Sequence, residues 1–127
     1  MIPIIFNNRD ELVKLDLEKM VYAEADGNFL HITFLNGQVF TIAFTLQKLE
    51  ELLEHSSLDT DNRYIRIGRR YIVDRRYITY INVLKQTLIL SDLDRFKPFV
   101  LNVHKDALKR LKGYLTTSES TNRQDNE

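Results

Sequence analysis

Arg63-Tyr64-Ile65-Arg66-Ile67-Gly68-Arg69-Arg70-Tyr71-Ile72-Val73-Asp74-Arg75-Arg76 holds two β-prone runs on either side of a short break. Branched and aromatic side chains suit a pleated, half-buried surface, and a glycine between such runs punctuates them. The stretch therefore reads as strands over Tyr64 to Ile67 and Tyr71 to Val73, joined by a loop that carries Arg69 and Arg70. Strand alternation sets Arg66 opposite Ile65 and Ile67, toward solvent. Arg75 and Arg76 mark the next loop.

The same grammar extends in both directions. Upstream, Ile2 to Phe6 and Leu12 to Leu15 are apolar runs separated by the turn-forming cluster Asn7-Asn8-Arg9-Asp10. Val21 to Ala25 alternates until Asp26-Gly27-Asn28, residues that tolerate a positive φ. Phe29 to Leu35 and Val39 to Phe44 flank Asn36-Gly37, which predicts a two-residue hairpin. Thr45 caps a helix with Leu46, Leu49, Leu52 and Leu53 on one face, and His55 to Asn62 reads as a loop. Downstream, strands are expected over Tyr77 to Val83, Thr87 to Leu90 and Phe99 to Leu101. Asn102 is the expected cap of a last helix with Ala107, Leu108, Leu111 and Leu115 on its apolar face. From Thr116 onward no apolar residue occurs, so 116–127 reads as a disordered polar tail behind one domain over 1–115. Close-spaced strands with two helices predict a mainly β, antiparallel fold. Tyr and Phe within the strands are read as core and cross-strand packing, with base stacking as the lesser alternative.

Composition narrows the function. The 127 residues, 15.0 kDa, suit a single domain, with 43% hydrophobic and 28% charged residues. No apolar run approaches the roughly 20 residues of a membrane span, and no basic-then-apolar leader opens the sequence. A cytoplasmic domain with no membrane role is the expectation. Cysteine is absent, which removes disulfides, thiolate metal sites and a thiol nucleophile. His31, His55 and His104 lack metal-like spacing. No P-loop or dinucleotide fingerprint appears. Glu24 and Asp26 share a strand face, but beside Gly27 they are expected to cap backbone or face water. An enzyme is disfavoured, and nothing calls for a cofactor.

Net charge is zero, yet its distribution is uneven. Residues 1–62 carry 4 basic and 11 acidic side chains, whereas 63–112 carry 13 basic and 4 acidic. A basic block of that size is a candidate footprint for phosphates. Guanidinium groups in the Gly68-Arg69-Arg70 loop suit bidentate contacts to phosphate or guanine.

Three stretches in order resemble the LytTR family, the DNA-binding domain of many bacterial two-component response regulators. They are Met20 to Ile32 with its Tyr-acid-Gly-Asn-aromatic block, the short helix Thr45 to Leu53, and Tyr64 to Asp74. The resemblance covers roughly 2 to 115. It implies an elongated fold of small β-sheets with two short helices. It further implies transcription regulation through loops and a helix start that enter successive major grooves of double-stranded DNA, commonly at paired repeats, with a homodimer on DNA possible. Carried over by position, the first contact loop is Asp26 to Asn28, with Asn28 foremost and His31 second. Arg69 falls in the second loop, beside Arg70. His104 and Lys105 fall at the third region. Gly68, Arg70, Asp74 and His104 depart from the usual His, Ser, Asn and Arg, which bears on target choice. A protein-interaction module on the same fold, with DNA binding weakened by those changes, is the alternative. A receiver domain is usual upstream in the family, and none is expected before Ile2; a stand-alone regulator and an excised domain both fit.

Overall fold

The computed structural model describes residues 3–56 and 62–119. Ten strands in these residues form three antiparallel sheets, on which two helices pack. β1 (Pro3–Asn7) and β2 (Leu12–Asp16) make a separate hairpin. The central sheet has five strands in the order β5-β4-β3-β7-β6. These are β3 (Met20–Asp26), β4 (Phe29–Phe34), β5 (Val39–Ile42), β6 (Tyr64–Ile67) and β7 (Tyr71–Asp74). A third sheet, order β10-β9-β8, is built from β8 (Ile78–Asn82), β9 (Thr87–Leu90) and β10 (Phe99–Asn102). Helix α1 spans Leu46–Glu54 and α2 spans Lys105–Ser118.

The central sheet separates two cores, and the alternation of its inner strands explains why. Ile72 of β7 points into the core with Leu30, Ile32, Leu49 and Leu53. Its neighbours Tyr71 and Val73 point into the other, with Leu88, Leu90, Leu108 and Leu111. α1 closes the first core, and the three-stranded sheet with α2 closes the second. Strands buried on both faces lack a polar side, which is why Tyr71–Asp74 is buried at every position. On β3 the register slips between Met20 and Tyr22. That bulge lets Val21 and Tyr22 both reach the second core while Met20 and Ala23 serve the first. Burying one such Leu or Val contributes about 1.5–3 kcal/mol. The aromatic rings pair edge-to-face inside these layers, as in Tyr22–Phe99 at 5.5 Å and Tyr77–Phe96 at 5.3 Å.

Several local expectations are corrected. The tight two-residue turn lies at Gly27-Asn28, since Asp26 pairs with Phe29. Gly27 takes φ +58 while Asn28 stays out of the left-handed region, the pattern of a type II′ turn. At Asn36-Gly37 the loop is one residue longer. Phe34 N–H donates to Gln38 O at 2.9 Å, leaving Leu35, Asn36 and Gly37 outside the ladder, with Gly37 at φ +85. β5 stops at Ile42 rather than Phe44. On α1 the buried face is Leu46, Leu49 and Leu53, and Leu52 is exposed. Arg75–Tyr77 is a 3-10 turn capped by Asp74, so β8 begins one residue later than expected. Asn102 is the last residue of β10, and His104 caps α2 instead. The helix then runs through Thr116 to Ser118, past the expected start of the tail. Ile2, the loop residues 57–61 and the tail residues 120–127 lie outside the described residues.

Candidate nucleic-acid interface

Sheet register brings four connecting segments to one end of the molecule. β3 ends there and turns at Gly27-Asn28. Ala25 N–H donates to Arg70 O at 2.8 Å, which sets the 68–70 loop beside that turn. Ile67 pairs with Tyr71, so Gly68, Arg69 and Arg70 form the whole loop. Gly68 has φ +61, and a Cβ built on it lies 3.6 Å from the Ala107 Cβ, placing α2's first turn against the loop. The Tyr71 hydroxyl donates to Asn102 O at 3.4 Å. Val103 N–H donates to Gln86 O at 3.0 Å, which adds the β8–β9 turn, Val83 to Gln86. The three segments expected to contact DNA are thus neighbours, with a fourth beside them.

The side chains at this end differ in how far they are held. Asn28 and Arg69 are exposed, and Arg69 makes no ion pair among the described residues. Arg70, beside it, is bound: its guanidinium donates to Glu24 Oε2 at 2.8 Å from Nε and 2.6 Å from Nη2. Glu24 also faces the Tyr71 phenol, which burial and that carboxylate push up to about 12. His31 is engaged through both ring nitrogens, Nδ1 with Thr41 Oγ1 at 2.7 Å and Nε2 with Asp26 Oδ2 at 2.8 Å. Glu24, expected to cap backbone or face water, instead holds Arg70, and Asp26, which does stay exposed, also meets the His31 ring. His104 is exposed and accepts from Asp106 N–H through Nδ1 at 3.2 Å. That acceptor role assigns the ring proton to Nε2, which is left as a donor that the cap does not use. Lys105 is exposed and unpaired among the described residues.

The cations of the basic block fall into two groups that the sequence does not distinguish. Five arginines are hydrogen-bonded to carboxylates, Arg63 and Arg76 to Asp74, Arg66 to Glu50, Arg70 to Glu24 and Arg75 to Glu119, while Arg95 lies 3.7 Å from Asp94 with both side chains exposed. Arg66, expected toward solvent, does lie on the face opposite Ile65 and Ile67, but α1 covers that face and supplies Glu50. Arg75 and Arg76 are likewise engaged, Arg76 by the buried Asp74 while its own side chain stays half-exposed. Arg75 reaches Tyr114, Ser118 and Glu119 at the far end of α2. Arg69, Lys85, Lys97, Lys105, Lys109, Arg110 and Lys112 have no carboxylate partner among the described residues. Five of these seven sit on α2 and the 68–70 loop. Lys85 of the β8–β9 turn and Phe29, exposed at the base of the Gly27-Asn28 turn, escaped the sequence reading. Neither carries a local signal beyond being a lysine or aromatic next to a turn.

The profile of the LytTr DNA-binding domain family matches residues 10–115. The chain belongs to the LytTR family. A solved structure described as the LytTr DNA-binding domain of a methyl-accepting/DNA response regulator from Bacillus cereus is similar over 90% of this chain and 96% of that one. It is 21% identical with a TM-score of 0.61. That likeness bears out the mainly β architecture of three antiparallel sheets with two helices. No curated protein matches the chain. LytTR membership makes this a DNA-binding domain and not an enzyme. No helix among the described residues is long and apolar enough to cross a membrane, and among them no group of three or more His, Asp or Glu is placed to hold a metal ion.

Proposed function

We propose that this LytTR domain is a sequence-specific transcriptional regulator that reads double-stranded DNA through the four segments at one end. The observation that carries this reading is that Arg69, Lys85 and Lys105, left free by the fold, gather there, with Lys109, Arg110 and Lys112 following along α2, while Arg63, Arg66, Arg70, Arg75 and Arg76 are hydrogen-bonded to carboxylates. Arg69 and Asn28 head two adjacent turns narrow enough for a major groove, about 12 Å wide. Arg69 suits a bidentate contact to guanine or phosphate. At the third segment the open amides of α2's first turn favour an anion, Lys105 adds a full charge, and His104 offers its Nε2 proton. Arg70 and His31 are held by Glu24 and Asp26, so their contribution is to shape and stiffen the two turns. An arginine neutralised by a carboxylate 2.6 Å away releases fewer counterions than a free one. Two such domains on paired repeats present two copies of this surface to one duplex.

Selection of duplexes from a random library, followed by fluorescence anisotropy on the enriched sequence, tests this. The expected result is an enriched motif bound far more tightly than random duplex. Failure to enrich any sequence, with no duplex binding at low salt, removes the proposal.

A further inference from the structure

β6 is an edge strand of the central sheet, and its outer side has no backbone partner among the described residues. Ladder parity identifies the open groups. Arg75 N–H donates to Arg63 O at 2.7 Å, so Arg63, Ile65 and Ile67 exchange their bonds with Arg75, Val73 and Tyr71. Tyr64 and Arg66 therefore turn both their N–H and their C=O groups outward. This open edge runs between two clefts. On the α2 side, a cleft of about 360 Å³ has Ile65, Ile67, Leu111 and Tyr114 along it and Arg110 beside them. On the α1 side, a cleft of about 120 Å³ is lined by Leu53, Tyr64 and Ile72 with Glu50 and Glu54. Asn62 Nδ2 donates to the Tyr114 hydroxyl at 3.3 Å at one end of the edge, and Ala107 approaches Gly68 at the other. Glu50 is held by Arg66, whereas Glu54 and Arg110 have no ionic partner among the described residues.

We propose that β6 takes up an extended peptide of another protein as a sixth, antiparallel strand, apolar and acidic toward α2 and basic toward α1. The outward groups of Tyr64 and Arg66 are matched one for one by an extended backbone. Strand alternation then sends successive side chains of the guest to opposite faces, one set into each cleft. Guest residues opposite Ile65 and Ile67 enter the α2-side cleft, where an apolar chain covers Leu111 and a carboxylate meets Arg110. Guest residues opposite Tyr64 and Arg66 enter the α1-side cleft, where an ammonium meets Glu54. This charge pattern selects among occupants. A second copy adding its own β6 brings another Arg66 to the α1 side and another Arg110 to the α2 side, like charge toward like. The chain's own residues 120–127 include no apolar side chain for the α2-side cleft. The inference does not depend on the DNA reading, because its test contains no DNA.

The probe is the peptide acetyl-Glu-Thr-Ile-Lys-Val-amide, titrated into the isotope-labelled full chain and followed by amide NMR and hydrogen exchange. The Tyr64 and Arg66 amides are expected to shift and gain protection. The Ile65 and Ile67 amides, already bonded to β7, should keep the protection they have. In the added strand the Thr and Lys amides face β6 and the Ile amide faces away. N-methylation of the peptide's Thr or Lys is therefore expected to weaken binding about tenfold or more, and N-methylation of its Ile to leave it unchanged. Arg66→Pro removes an outward donor without touching the β7 ladder and should cause the same loss, while Arg66→Val, which keeps the N–H, should bind. The methylated peptides decide the matter even if Arg66→Pro fails to fold. Glu54→Lys should weaken the peptide, and replacing the peptide's Lys by Glu should restore binding to that variant. No shift of the two amides at millimolar peptide overturns the proposal, as does equal loss on methylating any of the three positions. Binding indifferent to the Glu54 charge overturns the partner chemistry. Arg66 amide protection that rises with protein concentration in the absence of peptide gives the edge to a second copy and overturns the proposal.

Discussion

Arg69 and Arg70 are adjacent arginines with opposite circumstances. Arg69 is exposed and unpaired among the described residues, while Arg70 lies against Glu24. Arg69→Ala is expected to cost about 1–3 kcal/mol of affinity for the selected duplex, the range for one bidentate base contact. Its melting temperature should not move. Arg70→Ser is expected to change the salt slope of binding by less than Arg69→Ala does, measured by titration at several salt concentrations. The reverse order would show that the Glu24 pair opens on DNA. His104 has a structural task that sequence position alone does not suggest, since its Nδ1 caps α2. His104→Ala should destabilise the domain by about 1 kcal/mol, and His104→Asn, which keeps a cap acceptor, should recover most of it in urea unfolding. Equal stability of the two variants would mean that the cap contributes nothing.

Among the elements, the junction of β6, β7 and the turn after it is organised by one carboxylate. Asp74 is 0% exposed. It accepts from Arg63 Nε at 3.1 Å, from Arg76 Nη2 at 2.9 Å and from the Arg76 amide at 3.0 Å. Arg63 in turn donates to the Glu18 carbonyl, tying β6 to the turn that precedes β3. The departure from the family's Asn at this position therefore concerns the scaffold and not base reading. Removing one partner of a buried pair leaves the other charge uncompensated. Asp74→Ala is expected to cost about 3–5 kcal/mol in urea unfolding. Asp74→Asn should cost less, because the amide oxygen still accepts. If Asp74→Ala unfolds at the wild-type urea midpoint, the buried network is not a stabilising one.

For the molecule as a whole, two dependences on solution conditions follow. Burial raises the Tyr71 phenol to about 12, with Glu24 adding to the effect, and burial raises Tyr64 in the same direction. The unfolded phenols ionise near about 10. The folded state thus retains protons that the unfolded state loses, so stability is complete below about pH 10 and falls as pH rises toward about 12. Tyr71→Phe should flatten that alkaline fall by about 2 kcal/mol, read from urea midpoints across the range. Identical alkaline curves for variant and wild type would contradict it. DNA binding should depend on salt through the free cations of the binding end. For about five neutralised phosphates, raising salt from roughly 50 to 200 mM is expected to weaken binding on the order of a few hundredfold. A change of only a fewfold would mean that α2 and its lysines lie away from the phosphates.

The fold class and the family were legible in the sequence because their signals are local. Runs of branched and aromatic residues over Tyr64 to Ile67 and Tyr71 to Val73, helical spacing at Leu46, Leu49 and Leu53, and glycines at forced turns each depend on residues a few positions apart. Arg69 was legible for the same reason, as a loop residue between two strands. Turn length was less so: Gly27-Asn28 and Asn36-Gly37 both tolerate left-handed backbone, and the register of the neighbouring strands decides which closes in two residues. The tertiary structure alone decided which cations are free. Arg70 meets Glu24 from 46 residues away, Arg66 meets Glu50 from 16, and Arg75 meets Glu119 from 44. A charge count registers thirteen basic side chains in the block, but a carboxylate neutralises one only by arriving within a few ångströms. That proximity is set by strand order and helix placement, which local sequence does not encode.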